Sequence, residues 1–343
     1  MNRPAILPVV LFLAFLCPAA LGTPSGAQAA QSAAVFVYHR FGESGSLSTN
    51  VGLKRFEAEI AEIKSGGYTP MAIPDILRAL KDGRALPDLA VGISADDAYL
   101  TVFTQAWPRL KAAGIPLTVF VATDAIDRRL ADFMSWDQIR QLAKEGVTIG
   151  SHAASHLHMA DAPAAVNRDD MMRANARFKA ELGFVPELFA YPYGEMSLAV
   201  REQVKAAGYE FAFGQHSGAV NPASDFLYLP RFAINEHFGD VAEFRLRARA
   251  LGLPVRDLVP ADPKLGESPA TVSFTLAEEL GGLDRLTCFA ADGHPFPVAV
   301  AGERVTLTID RKLTPGRFRV GCTLPAGDGR FRWFGTSYYL PRT

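Results

Sequence analysis

The chain of 343 residues has almost no excess charge, with 35 Lys and Arg against 36 Asp and Glu and a formal net charge of -1. Without a basic surplus it lacks the electrostatic footprint of a nucleic-acid binder. Its densest basic stretch, Arg245, Arg247 and Arg249, reads as a solvated helix face. There is no internal repeat or low-complexity segment, which excludes a repeat array or a disordered tail. After the first thirty residues no apolar run reaches the roughly 20 residues of a spanning helix, so no transmembrane segment is expected in the mature chain. Cysteine is scarce, at three residues. The remainder, 49% hydrophobic and 21% charged with 29 Gly and 23 Pro, is ordinary globular usage, and the length suits one large domain and a small one.

The N-terminus departs from this average. Met1-Asn2-Arg3 carries one positive charge ahead of an apolar run from Ala5 to Leu21, and Gly26-Ala27-Gln28-Ala29-Ala30 contains an A-x-A cleavage pattern. A signal peptide over residues 1–30 is expected, with export to the periplasm or beyond. Two prolines and a short apolar core argue against an uncleaved anchor, and Leu16 before Cys17 argues against a lipoprotein. Removing Cys17 leaves Cys288 and Cys322, 34 positions apart, which are expected to pair in an exported chain. Closing that loop stabilises by roughly 3 to 4 kcal/mol in the chain-entropy treatment.

From Ala34 to about Tyr209, short β-rich runs alternate with helical periods, the pattern of an α/β domain with a largely parallel sheet. Seven strands are expected: Val35–His39, Tyr68–Met71, Leu89–Ser94, Leu117–Ala122, Val147–Gly150, Leu188–Tyr191 and Phe211–Phe213. Leu53, Phe56, Ile60 and Ile63 mark one amphipathic helix; Phe103, Trp107 and Leu110 mark another. Ser135 is placed to cap a helix running through Lys144, with Gly146 ending it. Val259-Pro260-Ala261-Asp262-Pro263 then breaks the pattern. Alternating segments and turn signals follow, suggesting a small antiparallel β-sandwich. The expected division is a barrel over 34–258 and a sandwich over 264–343.

Polar clusters fall just after the expected strand ends, where α/β barrels assemble active sites. His39 ends the first strand, Asp96-Asp97 the third, His152 to His158 the fifth, and Tyr191-Pro192-Tyr193-Gly194 the sixth. Taken alone, an Asp pair reads as a cap for a helix starting near Leu100. His152 and His156, at i and i+4, present two imidazoles to one point if their turn is helical. With one carboxylate they make a three-ligand site that leaves a position for water, as catalytic zinc sites do.

These motifs resemble the polysaccharide deacetylases with a NodB-homology domain, over roughly Ala34 to Val255. Ile93-Ser94-Ala95-Asp96-Asp97-Ala98 is similar to the family's Thr-Phe-Asp-Asp-Gly, Ser151-His152-Ala153-Ala154-Ser155-His156 to its His-(Ser/Thr)-x-x-His, and Phe189-Ala190-Tyr191-Pro192-Tyr193-Gly194 to its Arg-x-Pro-Tyr-Gly. The resemblance implies an irregular (β/α) barrel, with Asp96 as general base and Asp97, His152 and His156 as ligands of one divalent metal. Tyr38-His39 is similar to a Tyr-His pair in the branch acting on exported poly-N-acetylglucosamine, which makes His39 the candidate acid.

Three departures stand out. Ala98 replaces the family's Gly, Ala153 replaces its Ser or Thr, and Ala190 replaces the Arg that orients the base, with Arg40 or Arg231 as candidate substitutes. His216 is the second candidate acid and His237 a third; His158 and His294 read as structural, and Trp107 and Trp136 as core or groove wall. The resemblance implies hydrolysis of an acetamide. A metal-activated water attacks, Asp96 takes its proton, the Tyr193 N–H serves the oxyanion and His39 protonates the leaving amine. The donor set suits zinc first, then cobalt, nickel or iron. Alternatives are an O-acetyl esterase and a silent carbohydrate-binding barrel. Trp333-Phe334 and Tyr338-Tyr339 read as sandwich core, with sugar stacking as the alternative.

Overall fold

The computed structural model describes Met1, residues 31–237 and residues 240–342. The expected leader, apart from Met1, lies outside the described residues.

The first part of the chain runs β1 (Ala33–Tyr38), β2 (Arg40–Phe41), β3 (Asn50–Val51), α1 (Leu53–Ser65), β4 (Thr69–Pro70), α2 (Ile73–Lys81), β5 (Ala90–Ala95), α3 (Trp107–Ala113), β6 (Thr118–Val121), α4 (Thr123–Asp127), α5 (Trp136–Lys144), β7 (Thr148–Ser151), α6 (Ala164–Leu182), β8 (Leu188–Ala190), α7 (Leu198–Ala206), β9 (Phe211–Phe213), β10 (Phe232–Ala233) and α8 (Val241–Ala248). One parallel sheet takes the order β10-β1-β5-β6-β7-β8-β9, with β4 beside β5. β1 and β5 are buried along their whole length, as a parallel sheet covered on both faces requires. α1 packs Phe56 and Ile63 onto the core, and Ser135 closes a capping box with Gln138 at the start of α5.

All seven expected strands are present. β10 is an addition: two residues are too short to carry a readable alternation. It joins the ends of the sheet, because Phe232 pairs with Phe36 of β1 while Leu229, three residues earlier, bridges Phe213 of β9. The result is an irregular (β/α) barrel whose seam is the segment from Leu229 to Ala233.

The second part comprises β11 (Leu251–Gly252), β12 (Val255–Val259), β13 (Thr271–Leu276), β14 (Thr287–Ala290), β15 (Pro295–Phe296), β16 (Val298–Ala301), β17 (Arg304–Thr308), β18 (Gly316–Pro325) and β19 (Phe331–Leu340). Two sheets, β11-β19-β18-β14-β15 and β12-β13-β17-β16, enclose a core that includes Phe274, Leu307, Val320 and Tyr338. β11 lies before the break at Val259 to Pro263 and β12 runs into it, and both pair with strands of the sandwich sheets. Cys288 and Cys322 form a disulfide between directly opposed residues of β14 and β18.

Of the two aromatic pairs of β19, Tyr338-Tyr339 is buried and Trp333-Phe334 is half-buried. The Trp333 ring meets Phe232 edge-on at 5.1 Å, at the junction with the barrel. Trp107 and Trp136 are likewise buried, donating their indole N–H groups to Glu145 and Asp127. Among the described residues no helix is long and apolar enough to cross a membrane.

Candidate metal centre and active site

Parallel register delivers the polar clusters to one end of the barrel. Tyr38 of β1 aligns with Ala95 of β5, and the Asp96 N–H donates to the Tyr38 carbonyl at 2.9 Å, so His39 and Asp96 leave their strands side by side. Across the sheet, the His152 N–H donates to Val121 at the end of β6.

There the chain turns sharply. Of the ten non-glycine residues with positive φ among the described residues, five belong to the three motifs: Asp97, Ala98, Ala153, His156 and Tyr193. The left-handed region costs an L-residue roughly 1–2 kcal/mol, and such residues persist only where their surroundings hold them. Ala98, at φ 58°, occupies a conformation natural to glycine. His152 and His156 are therefore not on a helix. A loop with two left-handed residues brings them together, and the buried Asp170 holds it by accepting hydrogen bonds from Ala154 N–H at 3.0 Å and Ser155 Oγ at 2.7 Å. Nor does either aspartate cap a helix. The next helix begins at Leu100, whose N–H donates to the Asp132 carbonyl, and the Asp96 carboxylate is taken up by Arg231.

Asp97 Oδ1 lies 3.5 Å from His152 Nε2 and 3.3 Å from His156 Nε2, and the three ligand atoms all lie within 4.8 Å of one another. Ligands about 2.1 Å from one ion at tetrahedral angles stand about 3.4 Å apart. His152 supplies a further sign. Its Nδ1 donates to the Ala190 carbonyl at 2.6 Å, which leaves Nε2 as a bare lone pair, fully buried and without a hydrogen-bond partner. Burial, only partly opposed by Asp96, lowers both imidazoles to about 4, so both are neutral near pH 7. These residues fit a divalent metal.

Beside them, Asp96 is buried and gripped by Arg231, whose Nη1 and Nη2 donate to its two oxygens at 2.7 and 2.8 Å. Burial alone would raise this carboxyl; the Arg231 guanidinium, with His152, more than offsets it and holds Asp96 well below the usual carboxylate range. His39, half-buried, lies within electrostatic reach of both Asp96 and His156.

Residues 83–212 match the family model for polysaccharide deacetylase. The chain carries a polysaccharide deacetylase domain. It is similar to the poly-beta-1,6-N-acetyl-D-glucosamine N-deacetylase of Escherichia coli (strain K12), 26% identical over 219 residues, 51% of this chain and 32% of that protein. The match thus spans about a third of that relative's length. A Staphylococcus aureus (strain MSSA476) protein of the same description is 25% identical over 213 residues, 59% of this chain and 73% of that one. Among solved structures, IcaB from Ammonifex degensii aligns with TM-score 0.57 and 24% identity over 64% of this chain and 98% of that one. The Streptococcus pyogenes deacetylase PplD, in complex with acetate, aligns with TM-score 0.56 and 20% identity over 60% of this chain and 93% of that one. These two likenesses bear on the fold alone.

In this deacetylase domain the two candidate substitutes for the absent arginine of the third motif separate cleanly. Arg231 grips Asp96. Arg40 instead pairs with Glu43 at 2.8 Å and lies 3.7 Å over the Tyr99 ring. Tyr99 is a site residue that the sequence did not flag, since a tyrosine two positions after the Asp pair carries no pattern of its own. Burial and then Asp97 push its phenol up to about 12. His216 is not in the cluster. It is buried against Tyr228, and burial, with Arg319 and Arg231, lowers it to about 3. His237 is exposed, its N–H donating to Asn235. His158 stacks on Tyr193 and binds Glu195, and His294 pairs with Asp310.

Proposed function

We propose that the protein is an exported, metal-dependent hydrolase that removes N-acetyl groups from a polysaccharide containing N-acetylglucosamine. The observation that carries this reading is the buried, partnerless His152 Nε2 facing Asp97 and His156, next to a carboxylate that Arg231 keeps ionised. The names of the E. coli and S. aureus relatives support the substrate class. The leader-like sequence at residues 1–30 supports export.

Asp97, His152 and His156 would hold the metal, with zinc the first choice for two imidazoles and a carboxylate. When bound, such an ion supplies a water acidified from about 15.7 toward 7 and polarises the acetyl carbonyl. Asp96, fixed at both oxygens, is oriented to take a proton at its remaining lone pairs. The Tyr193 N–H, set by a left-handed turn after Pro192, would donate to the developing oxyanion. His39, beside Asp96 at the neighbouring strand end, would protonate the leaving amine.

The test is acetate release from N-acetylglucosamine oligomers, with chelation, zinc add-back and Asp96→Asn. The expected result is release that stops on chelation, returns with zinc and is absent in the variant. Release from O-acetylated glycans alone would make the substrate an ester. No release from any acetylated glycan by protein shown to hold zinc would overturn the hydrolase reading.

A further inference from the structure

Tyr193 has φ 60° and ψ 0°, a conformation its own sequence does not favour, so neighbouring groups must hold it. Several of those groups come from the sandwich or connect to it. Arg317 of β18 donates from Nη1 to the Tyr193 carbonyl at 3.0 Å, across 124 residues of chain, and its guanidinium carbon lies 5.9 Å from the centre of the Tyr193 ring. Arg317 Nε also stands 3.9 Å from Glu195 Oε1.

Glu195, nearly buried, uses its other oxygen to hold His158 Nδ1 at 2.7 Å. His158 lies flat on the Tyr193 ring, with centroids 3.9 Å apart and planes 5° from parallel. The next carbonyl, of Gly194, lies 3.0 Å from the Tyr228 hydroxyl, which is also 3.0 Å from the Ser337 carbonyl of β19. The ring, the carbonyl and the following peptide of Tyr193 are thus held by a chain of contacts that runs into two adjacent sandwich strands. The Tyr193 ring also meets the candidate metal ligand His156 edge-on at 4.5 Å.

We infer that the sandwich is part of the active site, with Arg317 as a positioning residue that sets the direction of the Tyr193 N–H. This rests on the proposed deacetylase function for its catalytic consequence, though not for the contact itself. Fixing the carbonyl and the ring holds the Cα side of Tyr193, so that its φ of 60° sets the direction of the N–H. Loss of the guanidinium frees the carbonyl and leaves Glu195 with His158 alone.

The test compares Arg317→Ala and Arg317→Lys in the full chain, with Arg311→Ala as a control at an exposed sandwich pair with Asp292. Arg317→Ala is expected to lower kcat about tenfold to a hundredfold while KM stays within about threefold, as for a misaimed donor. Arg317→Lys, which can still donate to the carbonyl, is expected to recover part of kcat, and Arg311→Ala to match the parent. Bound zinc is expected to be unchanged in all three. Hydrogen exchange read by mass spectrometry is expected to rise over residues 191–196 in Arg317→Ala and nowhere else in the barrel. Unchanged kcat with unchanged exchange, or equal kcat losses in the Ala and Lys variants, would overturn the inference. If the parent protein releases no acetate at all, the proposed function fails and the exchange over 191–196 alone decides whether Arg317 holds the turn.

Discussion

Arg231 and Asp96, 135 residues apart, form a two-pronged ion pair in which neither side chain reaches solvent. Arg231 also donates to Ser94 Oγ at 3.1 Å and to the Gly214 carbonyl at 3.2 Å, so its guanidinium is tied to strands on both sides of the barrel seam. The third motif carries Ala190 where its family carries an arginine, and the closing segment of the barrel brings a guanidinium to the carboxylate from another part of the chain. Such planar, charge-assisted pairing fixes orientation as well as charge.

Removing one partner strands a buried charge. Arg231→Met is expected to cost about 3–5 kcal/mol of stability. Asp96→Asn combined with Arg231→Met should cost clearly less than the two single changes together. Urea unfolding of the four proteins gives the coupling, and strict additivity would show that the pair is energetically idle.

The two histidines should behave alike toward metal and differently toward stability. His152→Ala and His156→Ala are both expected to lose bound zinc, measured as metal per chain after dialysis. Only His152 donates to a buried carbonyl, that of Ala190, so its loss carries a further penalty of about 1–3 kcal/mol. Calorimetry of the metal-free proteins should place the His152→Ala midpoint below that of His156→Ala.

Asp170 touches no ligand atom yet holds the loop that carries His156, and Arg173 pairs with it at 2.7 Å. Asp170→Ala is expected to weaken zinc binding about 10–100-fold, the range for residues that support a metal ligand from behind. Titration against a competing chelator reads this directly, and parent-like affinity would show the loop to be self-supporting.

A pH effect is expected from a buried carboxyl outside the ligand set. Glu59, on the buried face of α1, accepts from the Tyr38 hydroxyl at 2.9 Å and pairs with Arg55 at 3.1 Å. Burial, against the opposing pull of Tyr38 and Arg55, raises its carboxyl to about 7. A carboxyl raised on folding binds more protons folded than unfolded, so its stabilising contribution is full below its ordinary value near 4.5 and is lost as pH rises through 7. Glu59→Gln should therefore gain on the parent across that window, by up to about 3 kcal/mol above it. Thermal midpoints of both proteins from pH 4 to 8 give the difference, and a flat difference would contradict the shift.

Much of the barrel was legible because parallel strands buried on both faces must be continuous apolar runs, as β1 and β5 are, with the motifs directly after them. His152 and His156 were legible as a pair but not in their geometry. The four-residue spacing suggested a helix, whereas left-handed turns at Ala153 and His156, held by the remote Asp170, set the distance. β10 was not legible, since two residues have no period. Asp96 and Asp97 could be singled out, but which arginine serves Asp96 could not.

The sequence by itself determined which atoms are available for chemistry and at which strand ends they stand, because the alternation of strand and helix along the chain and donor type are local properties. Only the tertiary structure decided which arginine reaches Asp96, that Tyr99 lies beside Asp97, and that the sandwich grips the Tyr193 turn through Arg317. The two arginine contacts span 135 and 124 residues, and the Tyr99 contact depends on left-handed turns at Asp97 and Ala98. A short seam strand and a left-handed turn leave no periodic trace, and the energies that hold them come from groups that meet only once the barrel is shut.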